Sequence, residues 1–241
     1  MPKTALLFGL SEGGISQALA DQLLDKNHRI YAVSRNACSY KNDHPNLNCL
    51  DMDFSNRGWV TPTVGWIRKN VSSIDMFVHM SATSTDANSD CPLELTDDWR
   101  NDFEVNVFPV VELLSACNDL FRPGSRIVVC SSNGATRGTK RRRFTYAAAK
   151  SALNGLVKGS AVQLARKGIT INAVSPSQTL TKRVMQKNRL STDEEAVNKL
   201  PLSRYAKSEE VSKLIYYLLT DSPEYLTGQI IDIDGGTALN Y

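Results

Sequence analysis

The sequence predicts an α/β fold in which a doubly wound parallel β-sheet is flanked by helices in a single domain. Three observations support this prediction. Short apolar runs alternate with longer stretches in which apolar residues recur every three or four positions. The alternation continues to the last strand, and no internal repeat, low-complexity tract or Pro/Ser-rich linker interrupts it. Strands that alternate with helices form right-handed βαβ crossovers, which build a parallel sheet covered on both faces.

The strand signal lies in seven short apolar runs, at 5–8, 29–33, 47–50, 76–78, 126–130, 170–174 and 229–233. Each run is short and rich in Val, Ile or Leu, as is typical of strands that are buried on both faces. Helical spacing is found between them, at 16–24, 99–121, 146–166 and 208–219. A further segment, 182–199, is strongly polar, helix-compatible and placed after a strand end. It is consistent either with a mobile lid over a substrate or with a solvated surface helix.

The composition limits the class of protein. Of the 241 residues, 41% are hydrophobic and 22% are charged, which is typical of a globular chain and not of a disordered or fibrous one. The net charge of +3 is too small to indicate a nucleic acid or an anionic membrane as partner. The N-terminal apolar run is too short for a secretory signal, and no uncharged apolar stretch reaches the ~18 residues of a membrane span. We therefore expect a cytoplasmic protein.

The cysteines and histidines predict neither a disulfide framework nor a metal site. The five cysteines are odd in number, widely spaced and without a CxxC pair, which favours a reducing compartment. The three histidines, His28, His44 and His79, lack the spacing of metal ligands. We expect no metal.

A glycine-rich turn follows the first predicted strand and precedes a helix. Glycines at such a turn let the backbone approach a pyrophosphate, and the helix N-terminus favours negative charge there. The spacing is not GxGxxG, because Ser16 stands where a last glycine is expected. By itself the turn is equally consistent with a tight bend that needs a positive φ. The residues predicted to contact a dinucleotide are Gly9, Ser11, Gly13, Gly14 and Ile15.

The end of the second predicted strand supports a dinucleotide. Arg35 lies about 20 residues beyond Gly14, where dinucleotide folds place the residue that recognises the ribose. No Asp or Glu occurs in 30–36, whereas an arginine offers a permanently charged fork to a 2′-phosphate. The pattern favours NADP(H) over NAD(H). The alternative is an exposed arginine at a strand end.

The strongest chemical signal is the pair Tyr146 and Lys150, separated by three alanines. Residues at i and i+4 share one face of a helix, so the phenol and the ammonium lie side by side. A nearby cation lowers the pKa of a phenol from about 10, and each unit corresponds to ~1.4 kcal/mol. The pair therefore predicts a general acid. A surface Tyr/Lys pair on an alanine-rich helix is the alternative.

Together, these elements resemble the short-chain dehydrogenase/reductase family from about residue 4 to residue 236. The strand at 126–130 runs into Ser131 and Ser132, much as the family's strand runs into its catalytic serine. Asn106 matches the family's helix asparagine. Further matches are 171–176, Thr181, 227–229 and 234–236. The resemblance implies a Rossmann-type fold and an oxidoreductase similar to carbonyl reductases and 3-oxoacyl-carrier-protein reductases.

The resemblance also implies a role for each matching residue. Ser132, or Ser131 if the loop shifts by one residue, would bind the substrate carbonyl, and Tyr146 would donate the proton. Lys150 would bind the nicotinamide ribose and lower the pKa of the tyrosine, and Asn106 would hold a water. Such donors stabilise the charge that develops on oxygen as hydride arrives. The cofactor contacts implied are Asp53, Phe54, Ser81, Ala82, Tyr146, Lys150, Pro176 and Thr181.

The expected function is the NADPH-dependent reduction of a ketone or 3-oxo group to a secondary alcohol. Two alternatives stay open: an alcohol dehydrogenase that runs in the oxidative direction, and an NADP-binding regulator with reduced catalysis. The segment 79–82, His-Met-Ser-Ala, departs from the family's Asn-Asn-Ala-Gly. This departure supports the alternative of a regulator with reduced catalysis.

The substrate and the partners are expected to depend on variable segments, 83–95, 140–143 and 182–199. The four cations at 140–143 could steer an anionic substrate or an acidic carrier protein, or form a solvated loop or a salt-bridge patch between subunits. By family analogy we expect a homo-oligomer, a tetramer or a dimer.

Overall fold

Seven strands lie side by side in one parallel sheet, in a computed structural model that describes residues 1–40, 44–84, 96–137, 143–186 and 190–239. With two short strands outside this sheet, the strands of the described residues are β1 (Thr4–Phe8), β2 (Arg29–Ser34), β3 (Leu47–Asp51), β4 (Ile74–His79), β5 (Phe121–Cys130), β6 (Thr170–Pro176), β7 (Thr179–Leu180), β8 (Ala206–Lys207) and β9 (Ile230–Ile233). Their order in the main sheet is β3-β2-β1-β4-β5-β6-β9, and β7 pairs with β8 in a separate two-stranded ladder. All pairings are parallel.

Helices cover both faces of this sheet. They are α1 (Ile15–Asp25), α2 (Val60–Asn70), α3 (Thr96–Asn106), α4 (Phe108–Ala116), α5 (Gly134–Arg137), α6 (Phe144–Ala165), α7 (Lys182–Gln186), α8 (Glu194–Asn198) and α9 (Ser208–Thr220). Alternate residues of β1 point to opposite layers, as the pleat requires. Leu6 and Phe8 belong to the apolar core shared with α2, α4 and α6, whereas Ala5 and Leu7 belong to the core shared with α1 and α9. Within the described ranges, no helix has the length and apolar character to span a bilayer.

The predicted fold class is confirmed, and the seven predicted strands all form. The prediction of one helix over 99–121 is wrong. That stretch divides at Val107 into α3 and α4, and Phe121 already belongs to β5. Pro109, in the first turn of α4, has no N–H to donate and its ring crowds the carbonyl four residues earlier, so it starts a helix and does not continue one.

The helix α2 was not predicted at all. It includes Pro62 and Gly65, both poor helix formers. Only Thr63 and Ile67 are buried on it, so its apolar periodicity is weak.

The strand order places a crevice between β1 and β4. The chain proceeds from β1 outward to β2 and β3, and then returns to β4 and proceeds in the other direction. In open parallel sheets, ligands bind at such a reversal, beyond the carboxyl ends of the strands. The segments that follow β1, β2, β4, β5 and β6 carry nearly all the predicted site residues.

Candidate active site

Tyr146 and Lys150 lie in the first two turns of α6, on one face of the helix. Lys150 is only 1% exposed, and its Nζ donates a hydrogen bond to the carbonyl oxygen of Cys130 at 2.7 Å. The same Nζ lies 5.7 Å from the centroid of the Tyr146 ring. This juxtaposition follows from the spacing of four residues on a helix, and the hydrogen bond to the end of β5 fixes the ammonium in place.

The buried ammonium of Lys150 has an unusually low affinity for its proton. Burial lowers its pKa to about 8, while the neighbouring Cys130 thiol and Asp102 carboxylate act in the opposite direction. The cation of Arg183 lowers it further. Lys150 therefore remains mostly protonated at neutral pH.

Burial raises the pKa of Tyr146 above its usual value. The nearby hydroxyl of Ser132 and the charges of Arg143 and Arg183 partly oppose the rise. The guanidinium carbon of Arg143 lies 5.6 Å from the centroid of the ring. The expected lowering of this pKa by Lys150 is not seen: the pKa is raised, and the cations that act on the phenol are Arg143 and Arg183. At neutral pH the phenol keeps its proton.

The two serines after β5 have different environments. Ser131 is buried, and its hydroxyl donates to Oδ1 of Asn154 at 2.7 Å, which ties β5 to α6. Ser132 is half-buried, and its Oγ accepts the N–H of Gly134 at 3.2 Å. Its hydroxyl is near enough to Tyr146 to lower the pKa of that phenol, whereas the hydroxyl of Ser131 is engaged by Asn154. These surroundings favour Ser132 over Ser131 as the partner of the tyrosine.

Asn106 ends α3 and is completely buried. Its Nδ2 donates to the carbonyl oxygens of Asp102 at 2.8 Å and Thr83 at 3.0 Å. Its carbonyl oxygen lies 3.1 Å from Nε2 of the buried His79. Burial and the charge of Lys150 lower the pKa of His79 to about 3, so the ring is neutral and Nε2 is assigned as the donor. His79 thus holds the backbone of Asn106 rather than acting as an acid or a metal ligand.

One member of the site, Asp102, was not predicted. It is buried, and its Oδ2 accepts a hydrogen bond of 2.6 Å from the hydroxyl of Thr145, the residue before Tyr146. Its carboxylate also raises the pKa of Lys150. The only sequence signal is its spacing of four residues from Asn106, which places both on one face of α3.

The glycine-rich turn connects β1 to α1. Gly9 has φ of +102°, and a Cβ there would lie 2.3 Å from the backbone nitrogen of Ser81. Ser16, in the position of the missing glycine, accepts the N–H of Ser11 at 3.0 Å. At Gly14, the N-cap of α1, no side chain of the described residues caps the helix. The first N–H groups of α1 thus lack a side-chain acceptor, which fits the binding of a phosphate.

The remaining predicted cofactor residues lie around the same crevice. Arg35 is exposed directly after β2. Asp53 Oδ1 accepts the N–H and the hydroxyl of Ser55, at 2.9 and 2.8 Å. Phe54 is only 3% exposed, and its ring packs 4.9 Å from that of Phe8, so this residue belongs to the apolar core.

Four further predicted positions border the crevice. Ser81 donates its N–H to the carbonyl oxygen of Phe8 at 2.9 Å, and Ala82 follows it. Pro176 ends β6, and the hydroxyl of Thr181 accepts the N–H of Val184 at 3.2 Å. The free N–H groups at the uncapped N-terminus of α1 suit the phosphates of a dinucleotide. No cluster of three potential metal ligands occurs in the described ranges.

Parts of the predicted variable segments lie outside the described residues. These are 85–95, 138–142 and 187–189. Of the four cations at 140–143, only Arg143 is described.

The comparisons with known proteins cover nearly the whole chain. A family model described as enoyl-(acyl carrier protein) reductase matches residues 9–238. The 3-oxoacyl-[acyl-carrier-protein] reductase FabG of Thermotoga maritima is 30% identical over 194 residues, which cover 78% of this chain and 76% of the relative. Carbonyl reductase family member 4 of Xenopus laevis is 28% identical in an alignment of 252 residues, which covers 100% of this chain and 100% of the relative.

The solved structures show the same fold. A short chain dehydrogenase family protein from Francisella tularensis superposes with a TM-score of 0.85 at 24% identity, over 100% of both chains. ElxO with NADP bound superposes with a TM-score of 0.83 at 22% identity, also over 100% of both chains.

Proposed function

Since the chain belongs to the short-chain dehydrogenase/reductase family and is an oxidoreductase of CH–OH and C=O groups, we propose that it is an NADPH-dependent carbonyl reductase. It converts a ketone or a 3-oxo group to a secondary alcohol. The observation that carries this proposal is the cluster of Ser132, Tyr146 and the buried Lys150 at the carboxyl end of β5. The relatives named for carbonyl and 3-oxoacyl thioester reduction support this choice of substrate class.

Each residue of the cluster has a defined task. Ser132 and Tyr146 donate hydrogen bonds to the substrate carbonyl oxygen, and these strengthen as negative charge develops on that oxygen. Tyr146 then gives up its proton to the oxygen. Lys150 remains protonated at neutral pH and stabilises the phenolate that results. Bound NADPH supplies the hydride.

The protonation state of Tyr146 suits the first step of reduction. Reduction needs a phenol at the start, whereas oxidation needs a phenolate. Burial raises the pKa of Tyr146, so the phenol form predominates at neutral pH. The complete set of Asn106, Ser132, Tyr146 and Lys150 also argues against a regulator, which has no chemical need of it.

The preference for NADPH rests on Arg35 and on the absence of acids from 30–36. Asp51, the β3 residue in register with Ser34, already accepts the N–H of Cys38 at 2.8 Å. Its carboxylate is thus directed to the chain itself, and Arg35 is exposed to meet a 2′-phosphate.

The proposal is tested by Tyr146→Phe, assayed by NADPH consumption over a panel of ketones and 3-oxoacyl thioesters. Loss of a general acid lowers kcat by roughly 10²–10⁴-fold. The Kd for NADPH should stay within twofold of wild type, because the ring remains. Tyr217→Phe, on the exposed face of α9, is the matched control and should leave both quantities unchanged. Retention of wild-type kcat by Tyr146→Phe would refute the role of the phenol.

A further inference from the structure

The first residues of α7 bridge the two loops that border the crevice between β1 and β4. The backbone N–H of Lys182 donates to the carbonyl oxygen of Gly13 at 2.7 Å. Its ammonium lies 3.1 Å from Oε2 of Glu12. The next residue, Arg183, donates from Nη1 to the carbonyl oxygen of Ala82 at 2.6 Å. Residues 170 positions apart in the chain are thus brought together over the glycine-rich turn.

Glu12 is an unfavourable residue for a turn that is to receive a diphosphate. Its carboxylate adds negative charge next to the N-terminus of α1, where backbone N–H groups and the helix dipole attract an anion. A nearby cation is needed to cancel this repulsion. Lys182 is the residue whose ammonium lies against that carboxylate.

The backbone, and not the ion pair, fixes the position of Lys182. The side chains of Lys182 and Glu12 are 54% and 47% exposed, and exposed ion pairs contribute little to stability. By contrast, a Cβ added at Gly13 would lie 2.6 Å from Cβ of Lys182, so the two segments are in tight contact. The ammonium is therefore held near the turn while its own bond to Glu12 is weak. Because an ammonium has three N–H donors, it can contact a phosphate oxygen while it stays beside Glu12.

We propose that Lys182 is a diphosphate-binding residue of this enzyme, whose ammonium neutralises Glu12 and contacts the diphosphate of the dinucleotide. The inference rests on the proposed function, because it takes NADPH as the ligand. It assigns two separate cations to the two phosphate groups of the cofactor: Arg35 to the 2′-phosphate and Lys182 to the diphosphate.

Isothermal calorimetry tests the assignment by measuring the Kd of Lys182→Met for NADPH and for adenosine 2′-phosphate. Adenosine 2′-phosphate carries the 2′-phosphate but no diphosphate. Loss of a charged hydrogen bond should raise the Kd for NADPH by roughly tenfold or more, and the Kd for adenosine 2′-phosphate should not change. Lys182→Arg should retain NADPH affinity, and Glu12→Gln should increase it. Lys167→Met, an equal substitution of an exposed lysine remote from the turn, should leave both values unchanged.

The results of these titrations separate a failure of the inference from a failure of the proposed function. An unchanged Kd for NADPH in Lys182→Met overturns the inference, and so does an equal loss of affinity for both ligands. If the wild-type chain binds neither ligand, the proposed function fails together with the inference. Tight binding of both ligands by wild type and by Lys182→Met refutes the inference alone.

Discussion

Replacing Gly9 with Ala should weaken the fold at the junction of β1 and β4. The residue has φ of +102°, a conformation that costs an L-residue about 1–2 kcal/mol. The added Cβ would lie 2.3 Å from the backbone nitrogen and 2.7 Å from the Cα of Ser81, and 2.7 Å from the carbonyl carbon of Met80. These are backbone atoms, so no rotamer change can relieve the overlap.

The size of the effect follows from the bonds that must shift. Met80 and Ser81 both donate their N–H to the carbonyl oxygen of Phe8, at 2.7 and 2.9 Å. Each such bond contributes about 0.5–1.5 kcal/mol net. With the conformational strain, the free energy of unfolding of Gly9→Ala should fall by about 2–5 kcal/mol.

The matched control is Gly65→Ala. Gly65 is an exposed interior position of α2, and its added Cβ would meet nothing within 4 Å. The same chemical change should therefore stabilise the chain by about 0.5–1 kcal/mol. Denaturant unfolding at a fixed protein concentration compares the two, since self-association changes apparent stability. If the Gly9→Ala protein is as stable as wild type, the backbone of Met80 and Ser81 does not require a glycine at this position.

Two further predictions concern charge. Arg35→Ala should raise the Kd for NADPH by roughly tenfold or more and leave the Kd for NADH unchanged. Arg29→Ala, at the other end of β2, is the control. If Arg35→Ala changes the Kd for both cofactors equally, Arg35 does not contact the 2′-phosphate. The buried Lys150 has a pKa of about 8 in the folded chain and, when unfolded, about 10.4. Between these values the unfolded state holds more protons, so wild-type stability should rise with pH relative to Lys150→Met, by up to about 3 kcal/mol. Parallel stability curves in denaturant unfolding from pH 7 to 10 would contradict the shift.

The sequence predicted the sheet well because its central strands are buried on both faces. In β1 the four residues from Ala5 to Phe8 are apolar and buried, so an unbroken apolar run marks the strand without reference to its neighbours. The helix prediction failed where a single proline, Pro109, outweighed a long apolar pattern. For α2 the sequence carries little signal, since the helix includes two poor helix formers and only Thr63 and Ile67 are buried in it.

The sequence predicted site residues that are close together in the chain and missed contacts between distant ones. Tyr146 and Lys150 are four residues apart, and helix geometry alone brings them together. The hydrogen bond of Asp102 with Thr145 spans 43 residues, and the ion pair of Lys182 with Glu12 spans 170. No spacing rule reaches across such separations, because the fold as a whole brings these residues into contact.

The glycine-rich turn shows why its motif alone is weak evidence for a cofactor. Gly9 is required by the backbone of Ser81, and Gly13 combines φ of +65° with a tight contact to Lys182. Both would be needed for folding even if no dinucleotide ever bound. Gly14 differs, since its φ is −141° and an added Cβ would meet only Oγ of Ser11, at 3.8 Å. The packing of the protein therefore leaves room for a side chain at Gly14. A phosphate that approaches the backbone closely would be the reason for a glycine at this position.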